Sequence, residues 1–183
     1  MHILFITSRR VGDAVLSTGL LHTLIDTHPG ACVTVACGAA AAPLFEAVPN
    51  LERVIVLDKM LFSFHWLRLW ALSVGRIWDV LVDVRNAPVT YLLAARQSYR
   101  IGRSREAMHR VQWLGDVLGM RANPPAPHIW TLESHRETAR RLIPEGAPVL
   151  AVGPTANWAA KTWRAERFVT LIERLAAPTG ILP

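Results

Sequence analysis

Two rhythms of apolar residues alternate along this chain from its first residue. Short, nearly continuous apolar runs occupy His2–Thr7, Cys32–Ala36, Arg53–Leu57, Asp79–Val84 and Tyr99–Gly102. Between and after them, apolar residues return every three or four positions over Gly12–Leu24, Ala39–Val48, Phe62–Val74, Pro88–Ala95, Glu106–Leu118 and Ser134–Leu142. The first rhythm predicts strands buried on both faces and the second predicts helices. Pro49 stops the second helix, and Pro88 suits the first turn of the fourth. Strand and helix alternating at this pitch imply an α/β fold, a doubly wound parallel sheet with helices on both faces.

The proline-rich stretch Asn123–His128 reads as the segment leaving this compact unit. After Pro144-Glu145-Gly146 the pattern restarts, with a strand expected at Val149–Gly153 and a helix at Ala165–Leu175. One strand and one helix cannot bury both faces of a new sheet, and the chain reaches a turn signal at Thr179-Gly180. The expected organisation is therefore a first domain over residues 1–145 and the cut-short start of a second α/β domain over 146–183.

Composition narrows the function classes. With 51% hydrophobic and 19% charged residues over 183 positions, the chain is globular. The amino terminus has its basic residues after the apolar run and no small-residue cleavage site, so it reads as a core strand and not a signal peptide. No uninterrupted apolar run is long enough to span a bilayer. The expected location is cytoplasmic, with peripheral inner-membrane contact left open through Met60–Val74, a stretch apolar on nearly every helical face that fits a core helix equally well. Cys32 and Cys37 lack a second ligand pair for zinc and read as reduced core thiols. The net charge of +6 is carried by arginine, with Lys59 and Lys161 the only lysines. Arginine grips phosphate or carboxylate bidentately, which suits an anionic partner. Nothing beyond charge supports nucleic acid, because neither a recognised motif nor a stacking pattern accompanies the arginines.

Two strand–helix junctions carry candidate chemistry, both at the carboxyl edge where open α/β sheets bind ligands. The first is Thr7-Ser8-Arg9-Arg10-Val11-Gly12-Asp13. A dinucleotide site needs a glycine-rich turn here, whereas this one has a single glycine and then a carboxylate that repels phosphate. Asp13 has two readings: an aspartate capping or compensating the helix dipole, or a general base at the mouth of a cleft. The second junction, Gly153–Trp163, offers Thr155, Asn157 and the compact cation of Lys161, a set able to hold a diphosphate or to be an ordinary polar loop. Arginines 96, 100, 103, 105 and 110 cluster around the fifth strand, as solvated charge or as contacts to phosphates or acidic sugars. The histidines show no metal-ligand spacing.

At these junctions the sequence resembles the ADP-heptose:lipopolysaccharide heptosyltransferases, glycosyltransferase family nine. ILFITSRRVGDAVLSTGLLHTL is similar to that family's strand–G-D–helix opening, and VGPTANWAAKTWRAERFVTLIERL to its K-x-W signature. WDVLVDVRNAPVTYLLAARQSYRIG looks like its D-x-x-x-D…R-I-G middle. The resemblance implies a GT-B architecture of two Rossmann-like domains, of which this chain holds the acceptor domain and the first strand–helix unit of the donor domain. It implies an inverting transfer of a heptose or similar sugar from an ADP-sugar to a lipopolysaccharide-core acceptor, with no metal ion and no cofactor beyond the nucleotide-sugar donor. Asp13 matches the proposed base. Thr155, Asn157 and Lys161 fall in the segment that contacts the donor diphosphate, and Arg9, Arg10, Gly12 and Arg103 are assigned to the anionic glycolipid acceptor. Arg9 stands where many members have a small polar residue, and Arg164 replaces a usual proline. A full member continues about as long again, so the chain itself is expected to be an inactive fragment. The alternative is a non-catalytic envelope-assembly protein that binds an anionic glycolipid or a partner through its arginines. A sugar epimerase or dehydrogenase ranks last, lacking both a glycine-rich first turn and a Y-x-x-x-K pair.

Overall fold

The computed structural model describes residues 1–57, 64–103, 107–143, 145–146, 148–156 and 158–179, without the side chains of 176–179. Its contacts divide into two compact units, Met1–Thr131 and Leu132–Pro183. The division falls ahead of the helix near residue 134 and not after it, so that helix goes with the second unit.

The first unit is built on five parallel strands: β1 (His2–Ile6), β2 (Cys32–Cys37), β3 (Leu51–Val56), β4 (Trp78–Asp83) and β5 (Ala95–Arg100). They lie in the order β3-β2-β1-β4-β5. The chain starts in the middle of the sheet, winds outward to one edge through β2 and β3, then returns beside β1 and winds to the other. β1 is paired on both sides, Ile6 standing level with Ala36 of β2 and with Asp83 of β4. This is the α/β, doubly wound, Rossmann-like arrangement that the alternating pattern predicts.

Strand parity explains the two-sided core. Ile3 and Phe5 of β1, Val33 and Val35 of β2 and Val80 and Val82 of β4 meet Ala14, Leu20, Leu21 and Leu24 of helix α1 (Val11–Thr27) on one face. Leu4, Ile6, Ala36, Ile55 and Leu81 meet Leu69 of helix α2 (Phe64–Ser73), together with Trp66 and Trp70, on the other. Cys32 and Cys37 are both free thiols, and burial pushes Cys37 up to about 12. On α2, His65, Leu69 and Ser73 are buried while Phe64, Leu67 and Leu72 face outward. The helix thus has a core face and an exposed apolar face, and Met60–Ser63 of the stretch Met60–Val74 lie outside the described residues.

Several expected elements differ. Ala39–Phe45 and Pro88–Leu92 are 3-10 helices, not α-helices. Pro43 lies inside the first and cannot donate the amide bond that a longer helix requires. The fifth strand runs Ala95–Arg100 and not Tyr99–Gly102. Helix α3 covers Arg110–Gly115, followed by a 3-10 turn over Asp116–Leu118, while Glu106, the first residue of the longer expected helix, is outside the described set.

Asn123–His128 does not simply leave the unit. It crosses α1 at Gly19, where an added Cβ would come within 2.7 Å of the Pro125 carbonyl oxygen. The His128 amide donates to Thr18 Oγ1 at 2.9 Å, and its ring stacks on His22 at 3.8 Å.

The second unit contains α4 (Glu133–Leu142), a 3-10 turn Ala159–Lys161 and α5 (Ala165–Thr179). The strand expected over Val149–Gly153 is not formed: residues 148–156 carry no ladder partner, and a strand without a neighbour has no bonds to define it. None of this unit's described residues is buried.

Candidate functional site

The sheet order fixes where a ligand crevice opens. The connection after β1 runs on one face and the connection after β4 on the other, so the two adjacent strands part at their carboxyl ends, and open α/β sheets bind ligands there. Ser8–Arg10 leave β1 at this point, and Val84–Asn86 leave β4.

The β1 exit is anchored from below. The Thr7 amide donates to Ala36 O at 2.8 Å, and the Thr7 and Ser17 hydroxyls bond at 2.6 Å while Ser17 also donates to Ala14 O. Arg9 is exposed, with its backbone against Gly38 at the end of β2, where an added Cβ would lie 2.6 Å from Arg9 Cα. Arg10 takes extended angles and opens α1 without a side-chain cap. Asp13 therefore sits in the first turn and caps nothing. Its side chain is 34% exposed, accepts no hydrogen bond among the described residues, and faces Arg110 Nε at 3.8 Å. Arg110 in turn lies over Trp113 at 4.3 Å. Gly12, one residue earlier, is open, with nothing within 4 Å of an added Cβ.

The β4 exit is organised by Asp83, which is fully buried. It accepts from the Arg85 amide at 2.8 Å, the Ala87 amide at 2.6 Å and the Thr90 hydroxyl at 2.9 Å. Burial pushes its carboxyl above the usual range, opposed by those three bonds. Both oxygens are committed to holding the turn. Arg85 follows, its guanidinium 4.6 Å from the Trp66 ring, and Trp66 lies 4.6 Å from the ring of buried His65. Burial first, then the charges of Arg85 and Arg9, hold His65 below its ordinary value. His65 and Arg85 are residues that the sequence reading did not single out.

The arginine cluster separates in space. Arg96 pairs with Asp79 at 3.5 Å near the amino ends of β4 and β5, away from the crevice. Arg100 is a strut, donating to Thr90 O at 2.8 Å and lying 4.4 Å from the Tyr91 ring. Arg103 is exposed just past β5, Arg110 reaches Asp13, and Arg105 lies outside the described residues. Asp79 accepts the His2 amide at 2.7 Å, so the two aspartates of D-x-x-x-D both brace backbone.

Of the donor-side residues, Thr155 is exposed in a segment without regular structure, and Lys161 is exposed at the end of its 3-10 turn. Asn157 lies outside the described residues. Beside them, Trp163 packs edge-on against Phe168 at 5.3 Å. Among the described residues no group of three or more His, Cys, Asp or Glu side chains could hold a metal ion, and no helix is long and apolar enough to cross a membrane.

No protein-family model matches the chain, and no curated protein matches it in sequence. Solved structures do match in fold. A glycosyl transferase of family 9 from Veillonella parvula aligns with a TM-score of 0.76 at 18% identity, over 98% of this chain and 61% of that one. The ADP-heptose lipopolysaccharide heptosyltransferase II of E. coli aligns at 0.69 and 18% identity, over 98% and 62%. The E. coli heptosyltransferase WaaC with ADP aligns at 0.62 and 14% identity, over 100% and 75%. The chain shares the α/β fold of these glycosyltransferases and spans 61% of the length of the Veillonella protein.

Proposed function

We propose that this chain is the acceptor-side part of an inverting glycosyltransferase that moves a heptose, or a similar sugar, from an ADP-sugar to a lipopolysaccharide-core acceptor in cell-envelope assembly. The observation that carries the reading is a single one. In a chain with the fold of family 9 glycosyltransferases over 98% of its length, an unbonded carboxylate stands in the first turn after the central strand.

In this reading the acceptor hydroxyl attacks the anomeric carbon as Asp13 takes its proton. The bond from that carbon to the ADP oxygen breaks, and the electron pair leaves with ADP, inverting the centre. Arg110, 3.8 Å from the Asp13 carboxylate, holds it in position for the attack. Lys161, with Thr155 and Asn157, offsets charge on the departing diphosphate, the task a metal performs in other transferases. Arg9, Arg10, Gly12 and Arg103 receive an anionic glycolipid. The exposed apolar residues Phe64, Leu67 and Leu72 of α2 rest against the inner membrane from the cytoplasmic side, where such an acceptor resides.

The test is ADP release from ADP-heptose with a lipopolysaccharide-core acceptor, in a chain carrying a complete donor domain. Asp13→Ala should cut turnover by about 10²–10⁴, the usual worth of a general base, with the fold unchanged by circular dichroism. Undiminished turnover would reduce Asp13 to balancing the helix dipole. The 183-residue chain by itself should release ADP negligibly.

A further inference from the structure

We infer that Arg85, together with Arg9, binds an oxyanion of the ligand, a phosphate or a carboxylate, in the crevice between the carboxyl ends of β1 and β4. That the ligand is the sugar acceptor rests on the transferase reading; the oxyanion site does not.

Four observations converge on it. The two arginines leave adjacent strands at the point where the sheet's winding reverses, Val84 donating its amide to Ile6 O at 3.0 Å so that the exits stay level. Arg85 Nη1 is buried and has no hydrogen-bond partner among the described residues, and the same holds for His65 Nδ1 beside it. A guanidinium carries five donors, and a buried donor without an acceptor costs about 1–3 kcal/mol, so such groups in native proteins usually answer to something. Among the described residues, the carboxylate that acts on Arg85 is Asp83, already occupied by two amides and a hydroxyl. Finally, burial and then the nearby charge of Arg9 weaken Arg85's hold on its proton, with Asp83 opposing. Two like charges and an imidazole, drawn from the β1 exit, the β4 exit and α2, are therefore close enough to act on one another, and among the described residues no free carboxylate is shown between them. An oxyanion would accept from both guanidinium groups and relieve their repulsion. Stacking on Trp66 fixes the plane of Arg85 in advance, which lowers the entropy lost on binding.

The structural alternative is that Arg85 serves only to cover Trp66. Titrating inorganic phosphate into the 183-residue chain, followed by the arginine Nε–Hε resonances and by thermal unfolding, separates the two. Arg85 should shift saturably, and Arg85→Gln and Arg9→Gln should each weaken phosphate binding at least tenfold, while Arg96→Gln leaves it unchanged. Without phosphate, Arg85→Gln should melt no lower than the parent, since it removes an unmatched buried charge. If that variant does not fold, exposed Arg9→Gln carries the test. Phosphate affinity unaltered in the variants, or no saturable response in the parent, overturns the proposal. Vesicles containing phosphatidylglycerol form a second arm: binding that both variants retain, with no response to free phosphate, assigns the charge to a membrane surface and also overturns it. Asp13→Ala should keep phosphate affinity. Phosphate bound through Arg85 in a longer chain that transfers no sugar would sink the transferase reading and leave this site standing.

Discussion

Asp83 shows how one side chain can be structural and expensive at once. Its burial disfavours the ionised form, yet three donors close on its two oxygens and so shape the turn that presents Arg85. Replacing it with alanine would leave the buried Ala87 amide and the half-buried Arg85 amide without their acceptor, while the Thr90 hydroxyl keeps Ala87 O. The expected loss is about 2–4 kcal/mol, read as a lowered urea midpoint with an unchanged slope. Asp13 is the opposite kind of residue. Among the described residues it braces no backbone, and it forms an ion pair with Arg110 at 3.8 Å. The motif around Asp13 was legible in the sequence because glycine-aspartate at a strand–helix junction is a local signal. Arg85 and His65 were not legible, because their meaning depends on which strands become neighbours. An arginine after a valine-rich run looks like any strand-ending charge until the sheet order sets it beside Arg9.

Elements were readable in proportion to how much of their surface the core covers. β1, β2 and β4 are buried on both faces, and their apolar runs locate them to within one or two residues. β5 pairs with β4 alone and none of its residues, ARQSYR, is buried, so no apolar run marks its start and the expected strand fell four residues late. The short 3-10 helices follow from proline and from local turn chemistry, which a helical spacing of alanines and leucines does not reveal. The crossing over α1 likewise depends on a glycine whose neighbour lies about a hundred positions away, a separation that no local window spans. It makes a paired prediction. Gly19→Ala would drive a methyl into the carbonyls of Pro125 and Ala126 and should cost about 1–3 kcal/mol. Gly12→Ala, in open space within the same helix, should raise stability by about 0.5–1 kcal/mol. Thermal unfolding of the two variants side by side checks both; equal effects would mean that the crossing segment yields.

At the scale of the first unit, charge fastens the amino ends of the strands. Arg76, just before β4, donates to Glu52 at the start of β3 and lies 3.1 Å from His2 Nδ1 at the start of β1. The hydrogen bond from Arg76, the largest influence, holds Glu52 below its ordinary carboxylate value, and the charges of Arg76, His2 and Arg53 act in the same direction. Because the folded value is the lower one, this contribution is present above pH 4.5 and is lost as pH falls through the folded value. Both side chains are about a third exposed, so solvent and salt screen it. Between about pH 6 and about pH 3, the parent should lose more stability than Glu52→Gln, and 1 M salt should narrow the gap. Identical acid profiles would show that the clasp contributes nothing. The second unit has no comparable closure, since none of its described residues is buried, and its α4 and α5 were legible through their own periodicity alone.

β1 precedes the other four strands in the chain and, like β2 and β4, has a neighbour on each side. On one flank it can dock against β2 after a single helix has been synthesised, but its other flank stays open until translation passes residue 83. During that interval the nascent chain displays an unpaired row of amides and carbonyls on its most apolar strand. Any holdase that meets this protein early would find its grip there, and would be released when β4 arrives.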